Sequence, residues 1–278
     1  MGTLGRFLRR VARFLGHTAA GLGALSMVLV PSFVFAEGRG TRLPTHAELT
    51  RALAAVSAAG VNNGAIFSPA EMWAVVVDRS GLVRVVTKTP GTDPWPGSRA
   101  IALAKAYTAN AFSKRKLPLS IANLFSAVQP GGSLFGLQEG NPLNVAAAYA
   151  GTGEKFGTVK DPAVGKRLGG TITFGGGLPL YHKRTGAVLG AIGVSGDSSC
   201  ADHVIAWRIR HALGFTMIPG GVNTGSYGGA KAPSGGDDNI IYGGESGFRH
   251  SGCGFTEAGV SDLPSMQNFA KPVAKAGK

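Results

Sequence analysis

Acidic residues are scarce in this chain, and this scarcity sets its overall charge. The chain has 15 Asp and Glu against 28 Lys and Arg, which gives a formal net charge of +13. A basic balance can indicate nucleic-acid binding, but here the Lys and Arg are dispersed and form no stripe interleaved with aromatic residues. We therefore expect a solvated basic surface that attracts anionic ligands, and no nucleic-acid partner.

Several motifs of nucleotide-binding and hydrolytic proteins are also missing. The glycine run Gly175–Gly177 is not followed by Lys and then Ser or Thr, which excludes a P-loop. Ser195 stands in Gly-Val-Ser-Gly, but Asp197 occupies the position where a hydrolase elbow needs its second glycine. The glycines around Ser195 therefore indicate a tight turn.

Long apolar runs are absent after the first 36 residues. Residues 1–18 carry four Arg and no acid, residues 19–35 are almost wholly apolar or small, and Val34 and Ala36 fit a cleavage site after Ala36. This order predicts a secretory signal peptide at 1–36, with an uncleaved anchor as the alternative. We expect a periplasmic or secreted protein with no stable membrane span after cleavage.

Cysteine occurs only twice, at positions 200 and 253. An even count in an exported protein predicts a disulfide between Cys200 and Cys253. The mirrored spacings Cys200-x-x-His203 and His250-x-x-Cys253 leave a tetrahedral zinc site as the alternative. Because export favours the disulfide, we do not expect zinc.

The periodicity of the chain predicts an α+β fold, an antiparallel β-sheet with helices packed on it. Thr45 and Glu48 form a capping box that starts the first helix. Two hairpins and two further helices follow, in the order helix, hairpin, helix, insertion, hairpin, helix, tail. We predict one domain at 37–214 with a long loop insertion at about 118–160, and a glycine-rich extension at 215–278.

Four segments of this pattern are similar to those of a known family. They are WAVVVDRSGLVRVV, SRAIALAKAYTANAF, GGGLPLYHKRTGAVLGAIGVSGD and SCADHVIAWRIRHALG. They resemble, in order, the first hairpin, the Lys-Ala-x-Thr-Ala helix, the glycine-rich hairpin and the closing helix of the GlcG/HbpS family. The C-terminal domain of PduO-type proteins is another relative.

The resemblance implies a haem-binding domain that forms homo-oligomers, with a role in haem sensing, storage or breakdown. Because Cys-x-x-Cys-His is absent, any haem b would be held non-covalently, by an axial ligand and an apolar pocket. The ligand could equally be a similar flat, anionic, aromatic molecule. An enzyme that acts on a small oxidised or aromatic substrate, without a tight cofactor, is the alternative function.

The candidate site residues follow from the chemistry of haem iron, which most often binds histidine. His203, at the start of the last helix, is the first candidate for the iron, although a structural histidine is its alternative role. His182, in a turn, and His46, at the start of the first helix, come next. Lys105 is a candidate for a propionate, and Gly176 and Gly177 would line the pocket.

Overall fold

The computed structural model describes residues 40–115, 117–215, 218, 239–242 and 247–254. The predicted signal peptide at 1–36 and most of the predicted extension at 215–278 lie outside these described residues. Within the described part of the chain, no helix is long and apolar enough to cross a bilayer.

One sheet of four antiparallel strands forms the centre of the domain. The strands are β1 (Trp73–Asp78), β2 (Val83–Lys88), β3 (Gly177–Tyr181) and β4 (Val188–Ser195), in the order β2-β1-β4-β3. Valine is frequent in β1 and β2, and β-branched side chains pack well on a pleated, buried surface. The predicted fold class and both predicted hairpins are confirmed.

Four α-helices accompany the sheet, namely α1 (His46–Ser57), α2 (Pro96–Phe112), α3 (Val145–Ala148) and α4 (Ser199–Ala212). The capping box predicted at Thr45 and Glu48 is present, since each residue accepts a hydrogen bond from the backbone of the other. The last helix begins earlier than its apolar periodicity indicated. Its cap is the Ser198 side chain, which accepts from the Ala201 amide.

The helices cover both faces of the sheet, so the core has two parts. One part lies against α1 and α4 and includes Leu49, Leu53, Ala74, Val76, Ile192, Val194, Val204 and Ile205. The other lies against α2 and includes Val75, Val77, Val86, Ala102, Leu103, Ala106 and Ala191. Helix α2 lies close to β4 because a Cβ added at Gly193 would overlap the backbone of Ala102 and Ala106.

The predicted insertion contains 3-10 helices at Ile121–Leu124, Ser126–Val128 and Gly153–Lys155 as well as α3. A buried ion pair ties the end of this region to α2. The Arg99 guanidinium donates to both carboxylate oxygens of Asp161, at 2.6 and 2.8 Å, and to the Ala148 carbonyl. The Asp161 carboxylate also accepts the amides of Gly157 and Ala163, so this pair organises the surrounding backbone.

Candidate functional site

A buried lysine and a buried aspartate meet at the end of the sheet where β3 begins and β4 ends. Lys105 lies on α2 and Asp202 lies in the first turn of α4, on the other face of the sheet. The Lys105 Nζ donates to Asp202 Oδ2 at 2.6 Å and to the Val194 carbonyl at 3.1 Å. Both side chains are buried, so this pair connects the two helical layers through the interior.

Glycines make room for this contact. A Cβ added at Gly176, where φ is +112°, would lie 2.9 Å from the Lys105 Nζ and would overlap the Val194 carbonyl oxygen. At Gly177 it would lie 2.5 Å from the Ile121 Cδ1 and 2.8 Å from the Lys105 carbonyl oxygen. The two predicted pocket glycines therefore lie beside Lys105, in space that the protein itself fills.

Burial dominates the electrostatics of the pair. It raises the pKa of Asp202 to about 6, against the attraction of the Lys105 ammonium and a hydrogen bond from the Asp197 amide. It also lowers the pKa of Lys105, against the attraction of Asp202. The Lys105 Nζ lies 4.8 Å from the centre of the Phe174 ring, which favours the charged ammonium. Two groups with perturbed pKa values in contact can exchange a proton near neutral pH.

His203 follows Asp202 and is also buried. Its Nδ1 lies 3.2 Å from the Ser120 hydroxyl and its Nε2 lies 3.2 Å from the Asn239 Oδ1. Because the Asn239 Oδ1 accepts the Ile240 amide as well, Nε2 is the nitrogen that donates. Burial lowers the pKa of His203 to about 3, so the imidazole is neutral and bonded at both nitrogens.

This histidine makes the stability of the protein depend on pH. Its folded pKa of about 3 lies below its usual 6.5, so the unfolded chain takes up a proton in this window that the folded chain does not. Stability present above pH 6.5 is therefore lost as the pH falls. Relative to His203→Gln, we expect the free energy of unfolding to fall by about 1 kcal/mol per pH unit below pH 6. Urea denaturation of both proteins from pH 7 to pH 4 measures this slope.

Asp202 contributes a slope of the opposite sign, because its raised pKa favours the folded state at low pH. It is present in both proteins, so its contribution cancels in the comparison. A stability difference that stays constant from pH 7 to pH 4 would contradict a neutral, buried His203.

The other two predicted histidines lie away from this pair. The Nε2 of His46 lies 2.8 Å from the Gly157 carbonyl oxygen, so this nitrogen donates to the insertion. The Nδ1 of His182 accepts the amides of Arg184 and Thr185 in the turn between β3 and β4, at 3.3 and 3.2 Å. The structure therefore brings together Lys105, His203, Gly176 and Gly177, and it separates His46 and His182 from them.

The two cysteines form the predicted disulfide, with Cα atoms 6.2 Å apart. The disulfide joins the first turn of α4 to the segment 247–254. His250 lies beside it, and its ligand nitrogen and the two sulfur atoms are all within 4.8 Å of one another. His250 was absent from the predicted haem site, although its spacing from Cys253 marked it in the sequence.

A family model for haem-degrading HbpS-like proteins matches residues 48–209. This match spans more than half of the chain. The chain belongs to the HbpS-like family. The matched region runs from α1 to α4 and includes Lys105, Asp202 and His203, whereas His250 and Cys253 lie beyond it.

A curated relative and several solved structures are similar to this HbpS-like protein. An uncharacterized 15.0 kDa protein of Citrobacter freundii, in the dhaT-dhaS intergenic region, is 30% identical over 131 residues, which are 47% of this chain and 68% of the relative. A crystal structure of a PduOC–haem complex is 26% identical, with a TM-score of 0.42, and the match covers 62% of this chain and 95% of that one. The Streptomyces reticuli HbpS structure is 20% identical, with a TM-score of 0.39, over 63% and 92% of the respective chains when the wild-type form is compared.

Proposed function

We propose that this protein is exported and binds haem, or a similar flat anionic aromatic molecule, without a covalent bond. The observation that carries the proposal is the match to the haem-degrading HbpS-like family across residues 48–209. The net charge of +13 supports it, because a basic chain attracts the two propionates of haem. We further expect a homo-oligomer in the periplasm or outside the cell.

Haem does not fit around His203 as the protein is packed here. Both ring nitrogens of His203 hold hydrogen bonds, and the space beside Gly176 and Gly177 is occupied by Lys105, Val194 and Ile121. Iron coordination by His203 would require it to give up Ser120 or Asn239. The pocket predicted between the first helix, the glycine run and the last helix therefore has to open before it admits a ligand of that size.

His46 and His182 are partly exposed, which makes them the more accessible candidates for the iron. Each would need a change of partner. His46 would leave the Gly157 carbonyl, and His182, whose Nδ1 accepts two amides, would have to move its proton from Nε2 to Nδ1 before binding through Nε2. When bound, haem supplies an iron centre that can take part in electron transfer or oxygen chemistry.

Titration with haem while the visible spectrum is recorded tests the proposal. We expect a saturable shift of the Soret band that persists in His203→Gln and weakens in His46→Ala or His182→Ala. Circular dichroism on each variant serves as the control for folding. A spectrum that stays equal to the sum of free haem and protein at every ratio would contradict haem binding.

The buried Lys105–Asp202 pair favours a second candidate function, an enzyme that acts on a small substrate. Its two groups have opposite charges and perturbed pKa values, and they lie in the part of the chain that the family model matches. If bound haem loses its Soret band over time with a reductant and dioxygen, and Asp202→Asn binds haem equally but preserves the band, the enzyme is favoured.

A further inference from the structure

The cluster of Cys200, Cys253 and His250 lies outside the haem proposal and has a chemistry of its own. Cys200 and His250 are buried and Cys253 is partly buried, in a region where Cys200 also contacts Ala122 and Ile240. We propose that these three residues bind zinc when the disulfide is reduced. The same residues then form a covalent link under oxidising conditions and a metal site under reducing conditions.

The imidazole of His250 is already oriented for a metal. Its Nδ1 lies 2.6 Å from the Ser251 carbonyl oxygen, which can only accept, so Nδ1 carries the proton. The lone pair is therefore on Nε2, which lies 3.1 Å from the Ser199 hydroxyl. A histidine that donates its other N–H to a backbone carbonyl is the usual arrangement at zinc sites. In this respect His250 differs from His46, His182 and His203.

The two sulfur atoms can reach zinc without a large movement of the backbone. Zn–S bonds of about 2.3 Å in a tetrahedral site place two thiolates about 3.8 Å apart. The Cα atoms of Cys200 and Cys253 are 6.2 Å apart, so rotation of the side chains supplies this separation once the S–S bond is broken. The Ser199 hydroxyl, 3.5 Å from the Cys253 Sγ, lies where a fourth ligand or a water would complete the site.

Contacts other than the disulfide hold the two segments together. Ser126 donates to the Arg249 carbonyl through both its amide and its hydroxyl, at 3.0 Å each. The His250 amide donates to the Ile241 carbonyl at 2.8 Å, and the His250 ring lies 5.1 Å from the Phe125 ring. The reduced protein therefore keeps His250 and Cys253 near the start of α4.

Charge and ligand type select the metal. Two thiolates and a neutral imidazole carry two negative charges, which Zn²⁺ neutralises, so the buried site is uncharged both as a disulfide and as a zinc complex. Thiolate and imidazole ligands favour zinc over magnesium and calcium, which prefer oxygen. A dithiol supplies the two electrons and two protons that convert the disulfide to two thiols and becomes a disulfide itself. Zinc then displaces the two thiol protons.

The experiment uses the full chain, reduced with a phosphine that does not bind zinc tightly, and titrates cobalt(II) and then zinc. We expect one cobalt per reduced chain with thiolate-to-cobalt charge-transfer absorption, which zinc abolishes, and no such band for the oxidised chain. His250→Ala should weaken cobalt and zinc binding about tenfold or more, whereas His211→Ala, on the same helix as Cys200, should leave it unchanged.

Circular dichroism in parallel covers the case in which reduction unfolds the chain. Recovery of folding with zinc, together with the cobalt–thiolate band, would support the site, because metal binding and folding are then coupled. The proposal is overturned if the reduced chain, folded or unfolded, gives no thiolate band, or if His250→Ala binds as tightly as the unsubstituted protein. A haem titration on the oxidised protein is independent of all these outcomes.

Discussion

Replacing Lys105 with methionine should lower the free energy of unfolding by about 3–5 kcal/mol. Methionine keeps much of the volume but removes the ammonium that lies 2.6 Å from the Asp202 carboxylate. The carboxylate is then buried without its cationic partner, and only the Asp197 amide and the more distant Ser195 hydroxyl still donate to it. Urea denaturation at pH 7, where Asp202 with a pKa of about 6 is ionised, measures the loss.

The double variant Lys105→Met/Asp202→Leu distinguishes a stranded charge from lost packing. It removes both charges, and replacement of a buried ion pair by apolar residues is often neutral or stabilising. We expect it to recover most of the stability that Lys105→Met loses. A double variant that is less stable than Lys105→Met would show that the pair itself, rather than the stranded carboxylate, accounts for the effect.

Replacing Arg99 with methionine should have an effect of similar size, about 3–5 kcal/mol, because it strands the buried Asp161 carboxylate. It also removes the stacking of the guanidinium on the Phe156 ring, at 4.1 Å from the ring centre. The change should act first on residues 148–163, so limited proteolysis should cut there at denaturant concentrations that leave the sheet folded. Urea denaturation gives the total loss.

Arg84→Met is the matched control for this second substitution. Arg84 also faces an aspartate, Asp78, but at 3.8 Å and with 53% of its side chain exposed. Exposed pairs contribute about 1 kcal/mol or less, so the control should remain close to the unsubstituted protein. Equal losses in Arg99→Met and Arg84→Met would contradict the role given to the buried pair.

The sequence predicted the elements whose signals are local. The capping box at Thr45 and Glu48, the valine-rich first hairpin and the short helix near Asn144 all lie within a few residues of the signal that marks them. The fold class follows, because hairpins and amphipathic helices in this order bury their apolar faces in few ways.

The candidate site depended on contacts that no local pattern encodes. Lys105 is indistinguishable from a solvated helix lysine until Asp202, 97 positions later, is known to meet it. Asp202 has the same local pattern as a helix cap, but the shorter Ser198 side chain takes that role. His203 and His250 lie in mirrored spacings with the cysteines, and only the fold shows that the ring of His250 faces the sulfur atoms.

The disulfide also changes the covalent topology of the C-terminal region. It closes a ring whose two cysteines are 53 positions apart, and this ring contains the glycine-rich stretch 220–236. A single peptide cleavage inside the ring leaves one covalent molecule, and the two pieces separate only after reduction. Because His203 and Asn239 both lie inside the ring, a nicked chain would still hold these two residues on one molecule, and cleavage there would be visible as a mobility change only on a reducing gel.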